Sequence, residues 1–268
     1  MTLILTHLSR FGIVHASDSN LTSHVNLPAG QGQKTFKVDY LNAGLTVAGA
    51  YSVGGTAMDV WMNNFISSQA GGSSRLLSEF AEALRARLQA QMLPEEKREG
   101  SMVQIAGYVE GEGLQHPEFY YIRNVYGIDA ATGGYFDIRD QFVVSEDFWT
   151  RDCPNSNAMA AFQSGAYQVY VNGFSSGRIG YFILQDRMNS FFNTIWAQAN
   201  WRFRPPRSLA ETVRFVKLYM SIIEALFQVS DYPAPFIGGG CQVHEIPQPP
   251  NAATTCLNGA NLRNVGGA

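Results

Sequence analysis

Charged residues are scarce in this chain. They make up 15% of its 268 residues, and the formal net charge at pH 7 is −3. Proteins that bind nucleic acid usually carry a basic patch, so we expect no nucleic-acid partner. No apolar run is long enough to span a bilayer, and the first residues lack the basic start and long apolar run of a signal peptide. These absences favour a cytoplasmic protein with no membrane partner.

Cysteine is also rare, and motifs for metals and nucleotides are missing. Cys153, Cys241 and Cys256 are odd in number and far apart in the sequence. They form no C-x-x-C pair, and none of the five histidines lies at metal-ligand spacing from another. No phosphate-binding loop or dinucleotide fingerprint is present. We therefore expect neither a metal nor a cofactor.

A β-hairpin at the start of the chain is the clearest pattern that is present. Apolar residues alternate over residues 2–8 and 12–16, on either side of residues 9–11. Such alternation predicts two short strands joined by a turn. Thr2 begins the first run, and Asp18 follows the second.

The remaining periodicities predict an α+β fold in one domain, residues 1–246. Strands are predicted at 35–41, 44–51, 102–109, 119–126, 135–144 and 168–174. Helices are predicted at 56–69, 73–92 and 179–199, and a further one begins at a capping box at 208–211. Residues 95–100 have the charge of a surface loop. Residues 247–268, rich in Pro, Asn, Gly and Ala, predict a flexible C-terminal tail.

Three features resemble proteasome β-subunits and their bacterial relatives, which are N-terminal nucleophile (Ntn) hydrolases. The first is the threonine at the head of a strand, and the second is Ala16-Ser17-Asp18-Ser19 at the end of the next strand. The third is a lysine before an apolar residue, Lys37-Val38, followed by a strand that ends in Ala48-Gly49. The resemblance implies a four-layer αββα sandwich in which helix pairs enclose two antiparallel sheets.

The resemblance also implies a catalytic trio. Thr2 would be the nucleophile once Met1 is removed, because a threonine hydroxyl needs a nearby base. The free α-amine, with a pKa of about 7.7–8.0, can supply that base. Asp18 and a lysine would provide fixed charges. Lys34 lies nearer the family's usual distance from the threonine, but Lys37 matches the local context and is the preferred site lysine.

Supporting residues follow from the same resemblance. The Gly49 amide would donate to the oxyanion. Ser176, in Ser176-Gly177, would help to position the threonine amine, although a serine there also fits an ordinary helix cap. Asp231 matches an aspartate that precedes a glycine pair in the family, here Gly238-Gly239, with extra residues between.

These assignments imply a threonine peptidase that hydrolyses peptides or unfolded proteins. We expect a homo-oligomer, with a ring as the favoured form, and a separate ATPase partner is open by analogy. Two alternatives stay open: a catalytically silent subunit of a ring, and an amidase of the same superfamily that acts on a small, non-peptide substrate.

Overall fold

A computed structural model describes residues 2–22, 28–71, 76–111, 114–128, 135–146, 168–173, 188–199, 204, 206–229 and 237–252. The strands are β1 (Leu3–Ser9), β2 (Gly12–Asp18), β3 (Asn20–Thr22), β4 (Pro28–Gln31), β5 (Thr35–Val38), β6 (Ala43–Gly49), β7 (Ser52–Val53), β8 (Thr56–Ala57), β9 (Ser101–Gly111), β10 (Leu114–Ile128), β11 (Tyr135–Glu146), β12 (Gln168–Gly173) and β13 (Cys241–Pro247). The helices are α1 (Met58–Ala70), α2 (Leu77–Gln91), α3 (Pro94–Glu99), α4 (Met188–Gln198) and α5 (Leu209–Gln228).

The first sheet is built on the N-terminal hairpin. Its four strands are antiparallel neighbours in the order β12-β1-β2-β13. Ser9 pairs with Gly12, so the predicted hairpin is confirmed. Strand β13, from the other end of the chain, runs along β2 and places Cys241 opposite Asp18.

The second sheet has five antiparallel strands in the order β11-β10-β9-β6-β5. The strands predicted at 102–109, 119–126 and 135–144 are confirmed, and each extends further than its apolar alternation. Strand β5 lies at the edge of this sheet.

Helices pack on one face of each sheet. In the second sheet, Phe36 and Leu45 share a buried cluster with Phe80 and Leu84 of α2. Residues of α1 belong to the same cluster. In the first sheet, β1 and β2 pack against α5, whose Val216 and Ile223 are buried.

The opposite faces of the two sheets pack against each other. Successive side chains of a strand point to opposite faces. Ile4, next to residues that face α5, accordingly clusters with Ala48 and Met102 of the second sheet. Ile13 clusters in the same way with Ala106. The α+β class with antiparallel sheets is therefore confirmed.

One local expectation is wrong. The charged stretch at 95–100 is largely the helix α3, because Pro94 occupies its first turn and the Glu96 carboxylate accepts the Leu93 amide at 2.8 Å. Strand β13 ends at Pro247, and the Gln248 amide donates to the Phe11 carbonyl at 3.1 Å. The flexibility of the tail stays a prediction. Residues 253–268 of that tail lie outside the described ranges. None of the described helices is long and apolar enough to cross a membrane.

Candidate active site

Thr2 lies immediately before β1 and is buried, with 5% of its surface exposed. Ile4 pairs with Ser17, so the register of the hairpin carries Leu3 to a position opposite Asp18. The Leu3 amide donates to Asp18 Oδ1 at 2.9 Å. The backbone that follows Thr2 is therefore attached directly to the Asp18 carboxylate.

A buried ion pair occupies this end of the hairpin. Lys34 Nζ lies 3.2 Å from both carboxylate oxygens of Asp18. Only 1% of the Lys34 side chain and 2% of the Asp18 side chain are exposed. Nζ also donates to the Asn20 carbonyl oxygen. The ammonium thus has two partners on the chain segment that ends β2 and begins β3.

Neighbouring strands hold the backbone of Lys34. Its carbonyl oxygen accepts the Val47 amide of β6 at 2.9 Å. Its own amide donates to Oε1 of Gln242, on β13, at 2.7 Å. The backbone of Lys34 therefore lies at the edge of the second sheet, and its side chain reaches a carboxylate of the first sheet.

The pair has perturbed acid–base properties. Burial raises the pKa of Asp18, and the Lys34 ammonium and the Leu3 amide oppose that rise. Burial lowers the pKa of Lys34, and the attraction of Asp18 opposes that change. Each charge reduces the cost of burying the other. Titratable groups perturbed in this way are concentrated at functional sites.

The lysine that the structure brings to Asp18 is Lys34 and not Lys37, the lysine preferred from the sequence. Lys37 lies on β5 between the buried residues Phe36 and Val38, and it is exposed. Alternation along the strand turns it away from the face that α1 and α2 cover. It lines an open groove of about 540 Å³ with Asp39 and His244, among others.

Gly49 ends β6 in a conformation that favours glycine, with φ of +101°. A Cβ atom at this position would collide with the backbone of Gly100. The close approach of that backbone accounts for the glycine. The role predicted for its amide in an oxyanion hole stays a prediction. Ser176 and Asp231 lie outside the described residues.

The predicted glycine pair lies against the segment that follows Asp18. The amides of Ser19 and Asn20 both donate to the Gly238 carbonyl at 3.1 Å, and Ser19 Oγ donates to the Gly239 carbonyl at 2.6 Å. Gly239 has φ of +78°, and a Cβ there would lie 2.6 Å from Ser19 Oγ. These bonds fix the chain on the far side of Asp18 from Leu3.

Cys241 lies opposite Asp18 on the neighbouring strand. Burial raises the pKa of its thiol to about 11. A thiol with such a pKa is protonated at neutral pH, and the thiolate is the reactive form. Cys241 is therefore a poor candidate for a nucleophile.

No pattern in the sequence pointed to Gln242. The signal in the sequence was weak, because Gln242 follows the predicted glycine pair by three residues and no strand was predicted there. Its partners are more than 200 residues away in the sequence.

The described residues contain no group of three His, Cys, Asp or Glu side chains that could hold a metal ion. Comparison of the chain with protein-family models and with curated proteins gives no match. The arrangement of Thr2, Asp18 and Lys34 therefore has to be interpreted from its own chemistry.

Proposed function

We propose that this protein is an N-terminal nucleophile hydrolase of the threonine type, which cleaves peptide bonds with Thr2. The observation that carries the proposal is the buried pair of Asp18 and Lys34 beside the residue that follows Thr2. An ion pair buried so completely is costly to maintain, and hydrophobic residues of similar size often stabilise a fold at least as well. A fixed cation near a hydroxyl nucleophile, however, favours its alkoxide.

The first half of the reaction acylates the threonine. The α-amine takes the proton of Thr2 Oγ as Oγ attacks the carbonyl carbon of the peptide bond. The carbon–nitrogen bond then breaks, the proton passes to the leaving nitrogen, and the acyl group remains as an ester on Oγ. Lys34 stabilises the developing negative charge, and Asp18 holds Lys34 in place. The Gly49 amide is the proposed donor to the carbonyl oxygen.

The second half releases the product. Water gives a proton to the same amine and attacks the ester, the bond from the acyl carbon to Oγ breaks, and the proton returns to Oγ. The amine must be free in both halves, because an amine acylated by Met1 is no longer a base. Removal of Met1 is therefore part of the proposal.

The layers of the fold support this assignment. Helices α1 and α2 cover the second sheet, α5 covers the first, and the sheets face each other. We infer from this order that the chain has the αββα sandwich of Ntn hydrolases, with its active site at the end of the space between the sheets. A fold alone does not define an activity, so the site residues carry the functional part of the proposal.

We also propose that the protein works as a homo-oligomeric ring. Helix α4 exposes Phe191 and Ile195, with 54% and 43% of their surfaces accessible. Helix α5 exposes Leu218 and Leu226. Large exposed apolar side chains are typical of contact surfaces. Light scattering should give a mass of several chains, and a monomer mass at micromolar concentration would contradict the ring.

Hydrolysis of fluorogenic peptides by protein whose first residue is Thr2 tests the function. Thr2→Ala should abolish hydrolysis and leave the circular dichroism spectrum unchanged. Thr2→Ser should retain activity, because the hydroxyl and the amine both survive. Thr56→Ala, at an exposed threonine of β8, is the matched control and should behave as wild type. Equal hydrolysis by wild type and Thr2→Ala would refute the proposal.

A further inference from the structure

The side chain of Gln242 is bonded to three backbone groups around Lys34. Oε1 accepts the Lys34 amide at 2.7 Å and the Thr35 amide at 3.2 Å. Nε2 donates to the Gly32 carbonyl at 2.7 Å. Because β5 is the edge strand of its sheet, no neighbouring strand among the described residues supplies these partners on that side.

These bonds cross from one sheet to the other. Gln242 is on β13, which pairs with β2 and places Gln242 opposite Ser17. Ser17 Oγ in turn lies 2.8 Å from Thr35 Oγ1. Strand β13 therefore pairs with the strand that carries Asp18 and, through Gln242, also bonds the backbone of Lys34. The side chain of Gln242 thus connects the two segments that carry the ion pair.

The backbone of Lys34 is bonded on both sides as a result. Val47 donates to its carbonyl on the side of β6, and Gln242 accepts from its amide on the side of β13. A lysine side chain has four rotatable bonds, and ordering it costs conformational entropy. Fixing the backbone from which this side chain extends reduces the number of positions that Nζ can occupy relative to Asp18.

We propose that Gln242 is a positioning residue, which sets the place of the Lys34 ammonium relative to Thr2. This inference rests on the proposed function, in which that ammonium stabilises the Thr2 alkoxide. Gln242 need not contact the substrate. It acts through Lys34. Its loss should slow the chemical step, because a small displacement of a catalytic group lowers the rate of that step.

Three substitutions of Gln242 keep different parts of its hydrogen bonding. Gln242→Met keeps an unbranched chain of similar length and loses every hydrogen bond. Gln242→Glu keeps the acceptor for both amides and loses the donor to Gly32. Gln242→Asn keeps both kinds of group but withdraws them by one methylene. Gln33→Met is the control, since the Gln33 side chain donates to the Thr35 carbonyl at 3.0 Å, whereas the Lys34 amide donates to Gln242.

The test measures how fast a β-lactone acylates Thr2, with the maximal rate constant kinact separated from the half-saturating concentration KI. Gln242→Met should lower kinact about 10- to 100-fold with KI unchanged. Gln242→Glu should keep more of kinact than Gln242→Asn, and Gln33→Met should equal wild type. Hydrogen exchange of the Lys34 and Thr35 amides should be faster in Gln242→Met than in wild type.

Failure of the inference differs from failure of the function. No acylation of Thr2 in wild type would refute the proposed function. Acylation of wild type and Gln242→Met with equal kinact would refute the positioning role alone. Should Gln242→Met not fold, equal losses in Gln242→Glu and Gln242→Asn would refute it, since only Gln242→Glu keeps the acceptor within reach of the Lys34 amide.

Discussion

Asp18 and Glu96 are carboxylates with little exposed surface, 2% and 5%, but Asp18 lies deeper in the protein and their partners differ. Asp18 faces the Lys34 ammonium and one backbone amide. Glu96 accepts the amides of Gly54 and Gly55 and of Leu93.

Their acid–base properties diverge accordingly. Burial raises the pKa of Asp18 in spite of its partners. Burial would also raise the pKa of Glu96, but hydrogen bonds from Gly55, Leu93, Ser52 and Gly54 hold it below its ordinary value. Backbone donors are enough to hold a buried anion in the first turn of α3. The region of Asp18 differs because it also fixes a cation, and a fixed cation is what the proposed chemistry requires.

The largest effect is expected from Lys34→Met. Peptide hydrolysis should fall by orders of magnitude, because the alkoxide of Thr2 loses its cation. The free energy of unfolding should fall by about 3–5 kcal/mol, because Asp18 is left buried without a counter-ion. Urea denaturation and peptide hydrolysis measure the two effects. Lys37→Met, at the exposed lysine of β5, is the control, and an equal loss in both variants would contradict the assignment of Lys34.

The double variant Asp18→Asn with Lys34→Met should regain part of the stability lost in Lys34→Met but none of the activity. Neutralising both partners removes the uncompensated charge, so part of the lost stability should return, with a coupling energy of about 1–3 kcal/mol. Activity should not return. The exposed pair Arg204 and Glu211 gives a comparison cycle, and its coupling should be much smaller because water screens it. Recovery of hydrolysis in the double variant would contradict a catalytic role for the pair.

Glu96→Gln should affect stability alone. The substitution keeps an acceptor but removes the charge that three backbone amides face, which should cost about 1–2 kcal/mol in the free energy of unfolding. The rate of peptide hydrolysis per folded molecule should equal that of wild type. A loss of kcat in this variant would place Glu96 in the catalytic machinery and end the contrast with Asp18.

Acid should reduce the difference in the free energy of unfolding between wild type and Glu96→Gln. The pKa of Glu96 is lowered by folding, so the unfolded chain binds more protons than the folded protein between the two pKa values. The stability that Glu96 contributes is therefore present above its ordinary pKa of 4.5 and is lost as pH falls through the lower, folded value. Urea titrations from neutral pH downward measure it. A difference that stays constant would contradict the lowered pKa.

The N-terminal hairpin could be predicted because its information is local. Alternation over residues 2–8 and 12–16 predicts both strands, although β2 extends further, to Asp18. Lys34 could not be chosen over Lys37 in this way, because its position depends on Gln242 and on Val47 of β6. The burial of Phe36 and Val38 did contain a local argument against Lys37, since a residue between them points to the opposite face.

Helix α3 shows the opposite case. A local signal for a helix was present, but the charge of the segment led to the prediction of a surface loop. Pro94 at the first turn and Glu96 two residues later begin a helix by their own chemistry. The burial of Glu96 depends on Gly54 and Gly55, which lie about forty residues earlier in the chain. Its amide partners could not be inferred from the charged run alone.

The most direct test of the central claim is peptide mapping after reaction with a β-lactone, using protein whose first residue is Thr2. The account predicts one adduct, an ester on Thr2, which is absent from Thr2→Ala and forms far more slowly in Lys34→Met than in Lys37→Met. An adduct on any other residue, Cys241 included, or equal labelling of wild type and Thr2→Ala would contradict it.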